Sequence, residues 1–166
     1  MKKEEAVEMA SHCLNCKHRP CMMACPMKTN VPGFISKIKE EKFEEAYDIL
    51  IENNMFSFVC SIICPQERQC QGSCVRGIKG EPIPIGKLEH FINRWARENH
   101  YSHSVKQKEK TNRSIAIVGS GPAGLSCAKE LVINGCSVTI YEKEKEMGRN
   151  YALWYSRVSF RKNNIG

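Results

Sequence analysis

Eight of the ten cysteines in this chain fall into two matched runs, Cys13-x2-Cys16-x4-Cys21-x3-Cys25-Pro26 and Cys60-x3-Cys64-Pro65-x4-Cys70-x3-Cys74. A chain of 166 residues can bury one good core, or two small ones of which at least one needs help from a metal or a partner. The cysteines mark where that help is expected. The N-terminus, Met1-Lys2-Lys3-Glu4-Glu5, is charged, and no apolar run approaches the roughly 20 residues that span a membrane. A signal peptide and a membrane helix are therefore not expected, and a reducing cytoplasm is. In that compartment, thiols at short regular spacing serve as metal ligands or redox groups rather than disulfides.

Thiolates are soft anionic donors that bind iron well. Short spacings let one loop wrap three corners of a cubane while a distant cysteine closes the fourth. The Cys-Pro pairs sharpen the reading, because in bacterial ferredoxin runs the cysteine before proline ligates the other cluster. By that logic Cys13, Cys16 and Cys21 begin one [4Fe-4S] cluster and Cys25 crosses to a second. Zinc is the alternative, but it usually pairs two short knuckles, whereas here four cysteines occupy the thirteen residues from Cys13 to Cys25. Cys127 and Cys136 stand apart and read as small core residues.

The formal net charge of +7 is spread along the chain and is densest at Lys106, Lys108, Lys110 and Arg113, a stretch that reads as a solvated linker. Clusters held by thiolates are negatively charged and offset much of the excess. Nucleic acid is not expected, and a basic docking surface for an acidic partner such as a ferredoxin stays open.

Between the cysteine runs, Phe34, Ile35 and Ile38, then Phe43, Ala46, Tyr47, Leu50 and Ile51, recur at helical spacing. They predict two short helices, or one broken near Glu40, with ordinary core faces. After Pro82-Ile83-Pro84 a helix is expected from about Gly86 to Asn99, with a buried stripe of Ile85, Leu88, Ile92 and Trp95. Glu89 lies on that stripe, one turn from both Ile85 and Ile92. An unpaired carboxylate there costs several kcal/mol, so it either ligates metal or sits at the stripe's edge and pairs with an arginine. Residues 101–112 are polar and irregular and mark a linker. Residues 113–118 predict a buried parallel strand, followed by a helix from about Ala123 to Asn134 and a second strand over residues 136–142.

The turn between the first strand and that helix is Gly119-Ser120-Gly121-Pro122-Ala123-Gly124, and Glu142 closes the second strand. This is the context in which Gly-x-Gly-x-x-Gly binds a dinucleotide. One glycine permits the turn, one lets backbone approach the pyrophosphate, one lets helix and strand pack, and the helix N-terminus faces the phosphates. An acidic residue at Glu142 accepts from a ribose hydroxyl and repels a 2′-phosphate, which favours FAD or NAD over NADP at this site.

The cysteine runs, the segment Pro82-Ile83-Pro84-Ile85-Gly86-Lys87-Leu88-Glu89 and the loop at 119–125 resemble the small (beta) subunit of NADPH-dependent glutamate synthase. The same module is similar to the N-terminal part of dihydropyrimidine dehydrogenase and to the large subunit of ferredoxin-NADP transhydrogenases. The resemblance implies a multi-domain fold, α then α/β: an α-helical iron-sulfur domain at 1–100 holding two [4Fe-4S] clusters, the linker, and at 113–148 an incomplete Rossmann-like β-α-β unit of an FAD-binding domain. It implies one cluster on Cys13, Cys16, Cys21 and Cys74, and another on Cys25, Cys64, Cys70 and Glu89, with Cys60 left free. Gly119, Ser120, Gly121, Pro122, Ala123, Gly124 and Glu142 then belong to the FAD site. In such proteins electrons pass from NADPH through FAD and the clusters to a partner: a large catalytic subunit such as glutamate synthase alpha, or a ferredoxin-type protein. No side chain need act as acid, base or nucleophile, since the cofactors carry the chemistry.

The chain departs from the family at residues 149–166, where a second glycine and a Tyr-Gly-Ile-Pro segment are expected. Codons can be chosen for residues 149–160 that, read one base later, spell GIMRYGIPEFRL, the sequence the family calls for. The expectation is a single-base shift that scrambled and shortened a longer parent, leaving a fragment unable to oxidise NADPH by itself. The alternatives are a short protein with a divergent tail, and a non-catalytic iron-sulfur module that docks a partner.

Overall fold

The computed structural model describes residues 1–103 and 107–144, together with the backbone of Lys162 and Asn163. The tail expected at 149–166 lies otherwise outside the described residues. The chain forms two compact units, residues 1–103 and 104–166.

The first unit is helical: α1 (Lys3–Ser11), α2 (Pro20–Ala24), α3 (Val31–Lys39), α4 (Phe43–Asn53), α5 (Ser57–Ile63) and α6 (Ile85–Glu98), with 3-10 turns at Gln66–Arg68 and Val75–Ile78. The first turn of α3 carries Pro32 and is capped by Asn30, whose Oδ1 accepts from the Gly33 amide at 3.2 Å. The expected break near Glu40 is a tight reversal. The Lys42 amide donates to the Lys37 carbonyl and the Glu41 amide to that of Ile38, with Glu41 left-handed at φ 58°. This is a Schellman closure with glutamate where glycine is usual.

The hydrophobic spacing now has partners. α3 packs on α1 and α4, while α6 packs on α4 and α5. Phe34, Ile35, Ile38, Leu50, Leu88 and Ile92 interlock in one core, each contributing about 1.5–3 kcal/mol by burial. α6 begins at Ile85, one residue before the expected start, and buries a wider face than its stripe, adding Phe91, Asn93 and Ala96, while Trp95 is only partly buried. Its start presses against the loop carrying the second cysteine run. A Cβ at Gly86 would lie 1.5 Å from Oε1 of Gln66, whose Nε2 donates to the Cys60 carbonyl at 3.2 Å.

The second unit holds β1 (Ser114–Val118), α7 (Pro122–Ile133), β2 (Ser137–Tyr141) and β3 (Lys162–Asn163). The sheet is parallel in the order β1-β2-β3, with Ser114 opposite Ser137 and Ile140 opposite Lys162. The expectation of a buried first strand is corrected. Ser114, Ala116 and Val118 are exposed and only Ile115 and Ile117 are half-buried. Among the described residues α7 covers one face of the strand and nothing covers the other, which leaves Val118 85% exposed.

The ends of the expected linker are held locally. Tyr101 and His103 both bond the Asp48 carboxylate on α4, at 3.1 and 2.8 Å. The amides of Lys108 and Thr111 donate to the carbonyls of Ile133 and Gly135. Polar composition suggested solvation, but these backbone groups find protein partners.

Candidate metal centre and nucleotide loop

Proline dictates how two of the cysteines are presented. Cys25 and Cys64 each cap the C-terminus of a helix, α2 and α5, in extended backbone with ψ 122° and 137°. The residue before proline is driven out of the helical region, so each helix stops at its cysteine. Cys13 follows α1 directly, Cys21 lies in α2, and the loop around them winds through left-handed Asn15, Arg19 and Lys28. Cys74 caps the 3-10 turn at Val75–Ile78.

The thiols gather in two groups. Cys13, Cys21 and Cys74 pack against the helical core, and Cys74 Sγ accepts from the Ile83 amide at 3.5 Å. Burial pushes the Cys13 thiol up, opposed by the Asn15 amide and reinforced by Cys74 and Cys16. Burial likewise pushes Cys21 up to about 11, opposed by the Met22 amide and reinforced by Cys13 and Cys74. The second group, Cys25, Cys60, Cys64, Cys70 and Glu89, lines a single cavity of about 120 Å³ together with Thr29, Asn54 and Gln66. Burial and then Glu89 push Cys70 up to about 12, with Cys25 and Cys21 adding to the effect and the Gln71 amide opposing it. Burial and then Cys60 push Cys64 up to about 11. Because Cys70 responds to both Cys25 and Cys21, the two groups are electrostatic neighbours.

Glu89 is 7% exposed, and burial pushes its carboxyl up to about 7 against the pull of the Ser57 hydroxyl. Ser57 Oγ donates to Glu89 Oε1 at 2.8 Å, and Asn93 Nδ2 donates to both Ser57 Oγ and the Glu89 carbonyl. Among the described residues no arginine or lysine pairs with Glu89. Clustered acidic donors that raise one another's proton affinity suit a cationic occupant, which removes both repulsion and desolvation. Yet no three His, Cys, Asp or Glu side chains among the described residues converge as the coordination sphere of one metal ion requires.

Sequence reasoning missed several residues here. Asn54 caps the C-terminus of α4 and Ser57 begins α5, both remote in sequence from Glu89 and with no local signal. Asn93 stands four residues from Glu89 and was legible as its helical neighbour. Cys60, set aside as free, lines the cavity. Cys127 is exposed rather than in a core, because it lies on the outward side of α7, and Cys136 is half-buried.

In the second unit, Gly119 is left-handed at φ 93°, and no atom stands within 4 Å of a Cβ built there or at Gly121. Gly124 is different: a Cβ there would fall 2.2 Å from the Gly119 carbonyl oxygen, so only glycine lets the first turn of α7 sit on the loop. Pro122 and Ala123 begin α7, and the first N–H groups of a helix have no partner within it. The Ser120 hydroxyl and amide both donate to Glu142 Oε2, the amide at 2.8 Å, and the Glu144 amide donates to Oε1 at 3.1 Å. These donors, the Ser120 hydroxyl first, hold the Glu142 carboxyl down at about 2. The carboxylate expected to meet a ribose thus braces the glycine loop.

The family described as dihydropyrimidine dehydrogenase domain II, 4Fe-4S cluster matches residues 1–101, and the NAD(P)-binding Rossmann-like domain matches residues 117–156. The chain is 38% identical over 143 residues to the NAD-dependent dihydropyrimidine dehydrogenase subunit PreT of Escherichia coli K12, covering 86% of this chain and 34% of that protein. It is 34% identical over 147 residues to the glutamate synthase [NADPH] small chain of Azospirillum brasilense, covering 87% of this chain and 30% of that protein. The corresponding small chain of E. coli K12 is 32% identical over 144 residues, covering 87% and 30%. The chain spans about a third of the length of these curated relatives. With well over half of its residues matched by the first of these families, the chain belongs to the dihydropyrimidine dehydrogenase domain II 4Fe-4S family, joined to a Rossmann-like NAD(P)-binding module.

Proposed function

We propose that this chain is part of an NADPH-linked, FAD-containing iron-sulfur oxidoreductase subunit of the glutamate synthase small-subunit type. One [4Fe-4S] cluster is assigned to Cys13, Cys16, Cys21 and Cys74, and a second to Cys25, Cys64, Cys70 and Glu89. The observation that carries this reading is the division of the donors into two adjoining groups, each drawing members from both cysteine runs. Donors ranged around a cavity rather than converged on one point suit a multi-iron core better than zinc.

When bound, the clusters supply one-electron transfer and the flavin the link between electron pairs and single electrons. The residues of the chain position and shield. Ser57, itself held by Asn93, fixes the Glu89 carboxylate, Phe34 and Ile85 give the cavity an apolar wall, and the α7 amides receive a pyrophosphate at 119–124. The nicotinamide cofactor differs between the relatives' own names, NAD in one and NADPH in the other. We assign NADPH to a domain of the parent protein. The electron acceptor is a partner, either a large catalytic subunit such as glutamate synthase alpha or a ferredoxin-type protein. No helix among the described residues is long and apolar enough to cross a membrane, which is in keeping with a cytoplasmic protein. The exposure of Ser114, Ala116 and Val118 among the described residues supports a second reading, a non-catalytic iron-sulfur module whose β-α-β piece docks a partner.

The test is iron, sulfide, zinc and flavin content with an absorption spectrum on protein purified without oxygen. About eight irons and eight sulfides per chain are expected, with FAD bound. Clusters without flavin would move the assignment to the docking module, and zinc without sulfide would overturn the electron-transfer reading.

A further inference from the structure

The cavity of the second donor group holds one donor too many. Cys25, Cys60, Cys64, Cys70 and Glu89 all line it, while a cubane presents four iron corners. Cys60 lies on α5 and Cys64 caps that helix in extended backbone, and both line the cavity from the end of one helix. Cys60 Sγ donates to Asn54 Oδ1 at 3.8 Å, a weak restraint on a thiol. Ser57, which orients Glu89, lies one turn before Cys60 on the same helix. The carboxylate and the spare thiol are therefore presented to the cavity from neighbouring positions. They differ in chemistry: iron in a sulfide cluster prefers the soft thiolate to the hard carboxylate oxygen, so the corner held by Glu89 is the one most readily surrendered.

We propose that Cys60 is a reserve ligand for the second cluster, able to take over the iron corner assigned to Glu89. This rests on the two-cluster reading given above. In the exchange an Fe–O bond to Glu89 breaks and an Fe–S bond to Cys60 forms. The thiol proton passes to the released carboxylate, and no electron changes hands. The second centre thus has a route to all-thiolate ligation without losing iron, using a side chain with a single rotatable bond before its sulfur.

The experiment compares the full chain, purified and kept without oxygen, as wild type, Glu89→Ala, Glu89→Leu, and each of these combined with Cys60→Ser. Leucine guards against the cavity that alanine leaves in a packed site, and far-ultraviolet circular dichroism checks that each variant is folded. The readouts are iron and sulfide content and electron paramagnetic resonance of the oxidised protein. With either Glu89 substitution alone, iron stays at about eight per chain because Cys60 closes the corner. With Cys60→Ser added, iron falls to about seven and the signal of a three-iron cluster appears. The inference is overturned if a folded single Glu89 variant loses iron to the same extent as its double, or if the double variants keep about eight. A wild-type chain carrying fewer than about eight irons defeats the two-cluster reading and the inference together, and it does so before any substitution is made.

Discussion

Ser57 and Glu89, 32 residues apart, share a buried hydrogen bond of 2.8 Å that ties the first turn of α5 to the first turns of α6. Asn93 Nδ2 closes the arrangement at 2.9 Å from the Ser57 hydroxyl. A polar triangle inside a helical core costs stability unless each member has a partner, and here each has one.

Replacing Ser57 with alanine leaves Glu89 Oε1 and one donor of Asn93 without their partner. The expected cost is about 1–3 kcal/mol in the metal-free protein, read as a lower urea midpoint at unchanged m-value. In the loaded protein the spectroscopic signature of the second centre should change while that of the first does not.

Glu89 also sets a pH dependence. Its folded value is raised from 4.5 to about 7 by burial, so the folded chain keeps a proton that the unfolded chain releases. Stability of the metal-free protein from this group is fully present below pH 4.5 and is lost as pH rises through 7, a change of about 3 kcal/mol. Urea titrations of the metal-free chain at pH 4.5, 6 and 8 should show that decline, and Glu89→Gln should flatten it.

The glycines of the loop separate folding from ligand approach. Gly121→Ala meets no atom within 4 Å, so stability should change by no more than about 0.5 kcal/mol, while flavin binding weakens because the new methyl group stands where a pyrophosphate must lie. Gly124→Ala drives a methyl into the Gly119 carbonyl and should destabilise the second unit itself. Thermal unfolding and flavin titration of the two variants distinguish these effects.

Glu41 occupies a left-handed position, φ 58°, at the end of α3, a conformation costing roughly 1–2 kcal/mol for a residue with a Cβ. Its ion pair with Lys3 at 2.6 Å is exposed, and a solvent-screened surface pair contributes little. Glu41→Gly should therefore stabilise the first unit by up to about 1 kcal/mol, measurable as a raised thermal midpoint.

Much of this was legible in the sequence because the relevant spacings are local. The thiol intervals, the i, i+3 and i+4 apolar faces of α3, α4 and α6, and the glycine loop between strand and helix all lie within short windows. The partner of Glu89 was not legible, since Ser57 reaches it only after α5 and α6 have packed. Spacing also gave no sign that Cys60 shares a cavity with the other donors, because the three residues between it and Cys64 describe a helical turn and not what that turn meets. The open face of β1 was misread for a related reason. An apolar run of strand length looks the same whether one face is covered or two.

Backbone amides and prolines surround the thiols differently. In the first group the Ile83 amide donates to Cys74 Sγ at 3.5 Å, and the Asn15 and Met22 amides oppose the upward shift of Cys13 and Cys21. In the second, the Gln71 amide opposes the upward shift of Cys70, while Cys25 and Cys64 are each followed by a proline, which has no N–H to give. Hydrogen bonds to sulfur ease the addition of an electron to a cluster. The prolines that end α2 and α5 therefore do a second thing: each removes the N–H that would otherwise follow its cysteine, so a charge on Cys25 or Cys64 has one neighbouring donor fewer to spread onto.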